Sequence, residues 1–243
     1  MTAELLPAQR AGTFDLGGDL TINRLGYGTM QIPGPGVWGP PRDHDEAIRV
    51  LRRAVELGVN FIDTADSYGS YVAEELIRES LYPYREGIVI ATKAGLTRVG
   101  PITGSGPSQW PPVGRPEYLR QEAVMSLRRM KLDRIDLFQL HRIDPKVPFE
   151  DQIGELKKLQ DEGKIRHIGL SGVSIDQLKA AQEITAIVSV PANRWPAGGR
   201  GLKRSPVMLP IPGTSSVDHL EDNMLGAGVE LTDEEFADLS AVA

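Results

Sequence analysis

The feature that most constrains this chain is an alternation. Short apolar runs of strand length recur along it: GVNFIDT, GIVIATK, RIDLFQLH, IRHIGLS, AIVSV and PVMLPIPG. Each is rich in Val, Ile, Leu or Phe, as a strand covered on both faces requires. The stretches between them read as amphipathic helices. In DHDEAIRVLRRAVELG, Asp43 with Glu46 three later marks the start; Ile48, Leu51 and Val55 share a face, and Gly58 marks the stop. RPEYLRQEAVMSLRRMKLD puts Leu119, Ala123, Leu127 and Met130 on one stripe. FEDQIGELKKLQDEGK does the same with Ile153, Leu156 and Leu159 before Gly163. Strand–helix repetition predicts parallel pairing with right-handed crossovers.

With INRLGYGTM as the first, there are seven strand candidates, preceded by a Gly-rich hairpin in FDLGGDLTI. An open doubly wound sheet needs GxGxxG at the first strand–helix turn. GYGTMQIPGPG supplies Gly26 and Gly28 but no third glycine leading into a helix. The expected fold is therefore α/β, a (β/α)8 TIM barrel, with residues 1–243 as a single domain. Two segments break the rhythm. Gly95–Gly114 is a long Gly/Pro-rich loop of the kind that often carries function. Pro191–Pro206, PANRWPAGGRGLKRSP, holds neither a strand run nor an amphipathic helix, yet it stands where a further βα repeat would be needed.

Bulk properties narrow the function. A net charge of −6 argues against nucleic acid or an anionic membrane as partner, and no apolar stretch reaches membrane-spanning length. The N-terminus lacks the layout of a signal peptide, so a cytoplasmic location is expected. Cysteine is absent, and the four histidines have no metal-ligand spacing, so no metal site is expected.

In a βα barrel, chemistry collects where strands end. GVNFID ends on Asp63 with Tyr68 in the next loop; GIVIAT runs into Lys93, RIDLFQL into His141 and IRHIGL into Ser171. Each residue has a bland reading: Asp63 as a helix cap, Tyr68 as packing, Lys93 as a solvated strand end, His141 as a hydrogen-bonded core residue. Their convergence on one mouth is what argues for a site. A phenol, with an ordinary pKa of about 10, becomes a usable acid beside an ammonium that stabilises its phenolate. Asp63 can hold Lys93 charged while His141 positions a carbonyl oxygen, and such a site can protonate a developing oxyanion.

FIDTADSYG, ATK, LFQLHRIDP, IRHIGLSGVS and SPVMLPIPGTSSVDHLEDN, in this order along nearly the whole chain, resemble the aldo-keto reductase family. The resemblance implies a (β/α)8 barrel that reduces aldehydes or ketones, a small-molecule carbonyl substrate, with NADPH (giving NADP+). Carried over by position, Asp63, Tyr68, Lys93 and His141 are the catalytic set, with Tyr68 as proton donor. Ser171 would touch the nicotinamide carboxamide. Gly213, Thr214 and Ser215 would open the last barrel helix at a phosphate. His219, Asp222 and Asn223 fall around the adenine end.

Departures from the family pattern are specific. Gly172 stands where an Asn is usual, His219 where Arg is common and Gly213 where Lys is common. The seventh βα unit is missing at Pro191–Pro206, whether lost from the protein or skipped by the sequence as read. Two other functions fit parts of the pattern: a Schiff-base lysine at Lys93, as in barrel aldolases, or a nucleotide-binding barrel without turnover. Trp38, Tyr71 and Trp110 are candidate walls of an apolar pocket.

Overall fold

The computed structural model describes residues 4–104, 109–191, 202–203, 205–229 and 231–241. A β-hairpin comes first: β1 (Thr13–Leu16) pairs antiparallel with β2 (Leu20–Asn23). A parallel five-stranded sheet follows, in the order β3 (Tyr27–Gly28), β4 (Phe61–Asp63), β5 (Val89–Ala94), β6 (Ile135–Leu140) and β7 (Ile165–Leu170). Strand order equals chain order, as a barrel demands. The helices are α1 (His44–Glu56), α2 (Val72–Leu81), α3 (Pro116–Met130), α4 (Phe149–Asp161), α5 (Ile175–Gln182), α6 (Val217–Leu225) and α7 (Asp233–Ala241).

The expected hairpin, four of the strand runs and the three helices named from the sequence are all present. INRLGYGTM divides, however: Ile22 and Asn23 belong to β2, and only Tyr27 and Gly28 to the sheet. The two last apolar runs extend the sheet without becoming regular strands. AIVSV lies beside β7, where the Val188 N–H donates to Ile168 O and Leu170 N–H to Ser189 O, both at 3.0 Å. PVMLPIPG lies beside β3, where Gly26 and Gly28 donate to the carbonyls of Pro210 and Pro212. Prolines accept but cannot donate, so that ladder is one-way. The closeness is built on glycine: a Cβ on Gly28 would stand 2.7 Å from Ile211 O. Among the described residues the sheet curls but is incompletely closed between these two edges. The predicted gap segment lies, at 192–201 and 204, outside the described residues.

α1 is capped as read, with the Asp43 side chain accepting from Glu46 N. Its buried face is Ala47, Val50, Leu51 and Ala54, while Ile48 and Val55 flank it half-buried. The small alanines let the helix approach the sheet. In α3 the buried face includes Glu122 and Ser126 beside Leu119, Ala123 and Met130, and Leu127 sits at its margin. Ile153, Leu156 and Leu159 of α4 are buried as expected. Inside the barrel, the hairpin's Leu16, Leu20 and Ile22 pack on Phe61, Val89, Ala91 and Leu137. The hairpin is therefore an apolar floor, and chemistry is left to the opposite, C-terminal mouth.

Candidate active site

Strand register delivers the site. Lys93 pairs across with Gln139, and Asp63 with Ala91, so Asp63, Lys93 and Gln139 point inward from adjacent strands. Lys93 Nζ donates to Asp63 Oδ1 and, at 2.8 Å, to the Thr64 carbonyl. It lies 3.5 Å from the Tyr68 hydroxyl. Asp63 Oδ2 accepts from Gln139 Nε2 at 3.0 Å. His141 follows the end of β6, its ring edge-on to Tyr68 with centroids 5.7 Å apart. Ser67 Oγ lies 3.3 Å from His141 Nδ1. All of these side chains are buried.

Burial and charge oppose one another here. Burial pulls the Lys93 ammonium down, but the carboxylate of Asp63 outweighs it and the pKa ends above the ordinary lysine value. The ammonium is locked to Asp63 and the Thr64 carbonyl, which disfavours the Schiff-base reading. Burial raises Tyr68, and although Lys93 works against that, burial wins. The expected net lowering is thus corrected: Lys93 is spent on Asp63 and Thr64, and its contact with the phenol is long. Burial, then Lys93 and Arg142, hold His141 well below the usual imidazole value, so the ring is neutral.

Ser171 directly follows β7, buried, next to this cluster: its hydroxyl accepts from Arg142 Nη1 at 3.3 Å. Gly213, Thr214 and Ser215 precede α6 rather than open it, because the helix starts at Val217. Thr214 is buried, and its carbonyl accepts from the Tyr27 hydroxyl. Ser215 lines a cavity of about 590 Å³ together with Gln31, Pro33 and Asp43. The first amide of α6 is already taken: Val217 N–H donates to Glu46 Oε1 at 2.9 Å. His219 and Asp222 are exposed on α6 and Asn223 is half-buried.

Of the proposed pocket walls, Trp110 packs edge-on against both Tyr68 and His141. Trp38 lies at the mouth through Arg98, whose guanidinium is 3.8 Å from the Trp110 ring centroid and 5.4 Å from that of Trp38. Tyr71 instead stacks on Arg129 from α3. The sequence reading singled out none of Gln139, Ser67, Arg98 or Arg142. Gln139 was legible as a polar residue two before His141 in an apolar run, hence on the same inward face. Arg98, which donates to the carbonyls of Gly36, Val37, Ser67 and Gly100, carries no local signal.

Known proteins bear on this geometry. The model of the aldo/keto reductase family matches residues 24–196. An uncharacterized oxidoreductase of Schizosaccharomyces pombe is 44% identical over 283 residues, covering 96% of this chain and 90% of the relative. Pyridoxine 4-dehydrogenase of Escherichia coli is 36% identical over 289 residues, covering 96% and 99%. Among solved structures, the glycerol dehydrogenase of Gluconobacter oxydans superposes with a TM-score of 0.78 at 24% identity, covering 96% of this chain and 95% of that one. A thermostable aldo-keto reductase gives a TM-score of 0.79 at 22% identity, covering 95% and 99%. These two likenesses bear on the fold. An alignment of 283 positions against a chain of 243 means that the fission yeast relative carries at least 40 residues this chain lacks. With the family model spanning the catalytic strands and two relatives matched almost end to end, the chain belongs to the aldo/keto reductase family.

Proposed function

We propose that the chain is an NADPH-dependent oxidoreductase that reduces an aldehyde or ketone to the alcohol at Asp63, Tyr68, Lys93 and His141. The observation that carries this is the buried Lys93–Asp63 ion pair with the Tyr68 hydroxyl 3.5 Å from the ammonium. When bound, the dihydronicotinamide supplies the hydride. Tyr68, whose proton is held firmly at neutral pH, gives it to the carbonyl oxygen as negative charge develops there. Lys93, fixed by Asp63 and the Thr64 carbonyl, stabilises the phenolate left behind. His141 stays neutral; with the Ser67 hydroxyl donating to Nδ1, its Nε2–H is free to hold the same oxygen.

The residues present fit the cofactor. Ser171 is a buried strand-end hydroxyl beside the cluster and would take the carboxamide. Ser215 borders the cavity before α6 and, with Gly213 and Thr214 preceding it in the chain, would take phosphate, with His219, Asp222 and Asn223 toward adenine. No helix among the described residues is long and apolar enough to cross a membrane, in keeping with a cytoplasmic enzyme acting on a small molecule.

The test is an NADPH titration followed by an aldehyde panel. The wild type is expected to turn over, and Tyr68→Phe to lose at least about 100-fold in kcat while NADPH affinity stays within about twofold. Equal rates in the two proteins would remove Tyr68 as proton donor. A second reading, a nucleotide-binding barrel without turnover, is favoured by the 40 or more residues that the fission yeast relative has and this chain lacks. NADPH binding with no turnover across the panel would select it.

A further inference from the structure

Arg142 follows His141 at the barrel mouth and is half-buried. Its Nη1 donates to the His141 carbonyl at 3.0 Å and to Ser171 Oγ at 3.3 Å. A guanidinium has five N–H donors in a fixed fork. Among the described residues, none of its other nitrogens has a hydrogen-bond partner, and no carboxylate lies within ion-pair distance.

Of the other charges around the mouth, Arg98 has no carboxylate either, but its guanidinium is spent on four backbone carbonyls and lies over two indole rings. Lys93 is neutralised by Asp63, and His141 is neutral. Asp144, two residues further on, accepts from the backbone amides of Gly114 and Lys146. The sequence after Pro191, whose carbonyl accepts the Gly172 N–H, contains no acid across 192–201. In a chain with net charge −6, Arg142 is thus a surplus cation beside the reacting groups.

Gly172 is what allows it. This residue has φ +64°, and a Cβ there would stand 2.6 Å from Arg142 Nη1 and 3.2 Å from Cζ. The guanidinium occupies the space of the missing side chain, over the end of β7 and against Ser171. A guanidinium held in place on one edge, with its remaining donors open and no counter-charge beside it, is set to receive a carboxylate.

We propose that Arg142 is a substrate-binding residue that selects carbonyl compounds carrying a carboxylate, the carboxylate meeting the free edge of the guanidinium while the carbonyl lies between Tyr68 and His141. This deepens the reductase reading and rests on it. A paired carboxylate would be held bidentately, which a lysine at this position cannot reproduce.

The experiment compares 4-formylbenzoate with its methyl ester, of similar shape but uncharged, on the purified full chain. Expected for wild type is at least a tenfold preference in kcat/KM for the carboxylate, expressed mainly in KM. Arg142→Met removes the preference while leaving the ester within about threefold; Arg142→Lys keeps part of it. Gly172→Asp, a residue type that tolerates this backbone region, places a rival carboxylate on Arg142 and lowers the preference. Calorimetric binding of 4-formylbenzoate with NADP+ present is read alongside, so absence of turnover would sink the reductase reading while binding still decides the role of Arg142. Equal binding by wild type and Arg142→Met overturns the proposal. So does a tenfold loss of NADPH affinity in Arg142→Met with an unchanged carboxylate preference, which would assign the cation to the cofactor's phosphates.

Discussion

At the scale of single residues, the site is governed by who holds the charge of Lys93. Its side chain is 3% exposed and that of Asp63 6%, so each is buried with its counter-ion. Removing one partner of such a pair leaves an uncompensated buried charge and costs about 3–5 kcal/mol, whereas removing both together is far milder. Lys93→Met is therefore expected to melt well below wild type, and the double variant Lys93→Met/Asp63→Asn to recover most of the loss. A double variant no more stable than the single one would mean that Asp63 is held by Gln139 alone. His141 yields a pH prediction. Its pKa lies well below the ordinary value of 6.5, so it takes up a proton only in more acid solution. Reduction of a neutral aldehyde should then run level from about pH 8 to about pH 6, with no inflection near the free imidazole value. An inflection there, in the rate or in the imidazole NMR shift, would mean that the ring is solvated.

At the scale of elements, the loop that carries Tyr68 rests on a buried polar layer between α2 and α3. Arg129 Nε donates to Glu74 Oε2 at 2.6 Å, and Arg129 Nη2 reaches Glu122 at 3.4 Å. Glu74 Oε1 accepts from Thr92, the neighbour of Lys93. Asp66 lies fully buried near them, neither carboxyl oxygen having a hydrogen-bond partner, and burial followed by the charges of Glu74 and Glu122 raises its pKa well above 3.8. The folded state therefore binds this proton more tightly than the unfolded chain. Its contribution to stability is whole below about pH 3.8 and fades as pH rises through the raised value. Asp66→Asn removes the charge and should stabilise increasingly as pH rises above about 4 and through the raised value. A constant difference across that range would show a carboxylate with a partner. This layer also explains what the sequence hid. Asp63, Lys93, His141 and Ser171 were legible because strand period and strand ends are local properties. The burial of Glu122 and Ser126 was not legible in the sequence, since nothing within α3 reveals the Glu74–Arg129 pair on its buried face. Arg98 was invisible for the same reason: its four carbonyl partners come from three separate loops.

At the scale of the whole molecule, the two edges of the curled sheet are unequal. One, beside β3, contains Pro206, Pro210 and Pro212 and is clamped by Arg24, whose Nη2 donates to Leu202 O at 2.9 Å and Ser205 O at 2.7 Å. Prolines cannot extend a ladder, so that edge is protected against further pairing. The other, beside β7, is the β-branched run AIVSV, with Val190 41% exposed and no partner strand beyond it among the described residues. An open edge of such composition is a template for pairing with another chain. The interior does not share this weakness, because Val188, Leu209 and Ile211 pack together with the hairpin floor and Phe61. One domain over residues 1–243 should therefore melt in a single transition while its open edge drives association. Light scattering after gel filtration is expected to find concentration-dependent oligomers, and Val190→Lys, a charge placed on that edge, to shift the population toward monomer without altering NADPH affinity. A wild type that stays monomeric at every concentration and melts cooperatively would mean that the edge beside β7 is covered within the chain itself, and the difference in length from the fission yeast relative would then be absorbed without cost to the barrel.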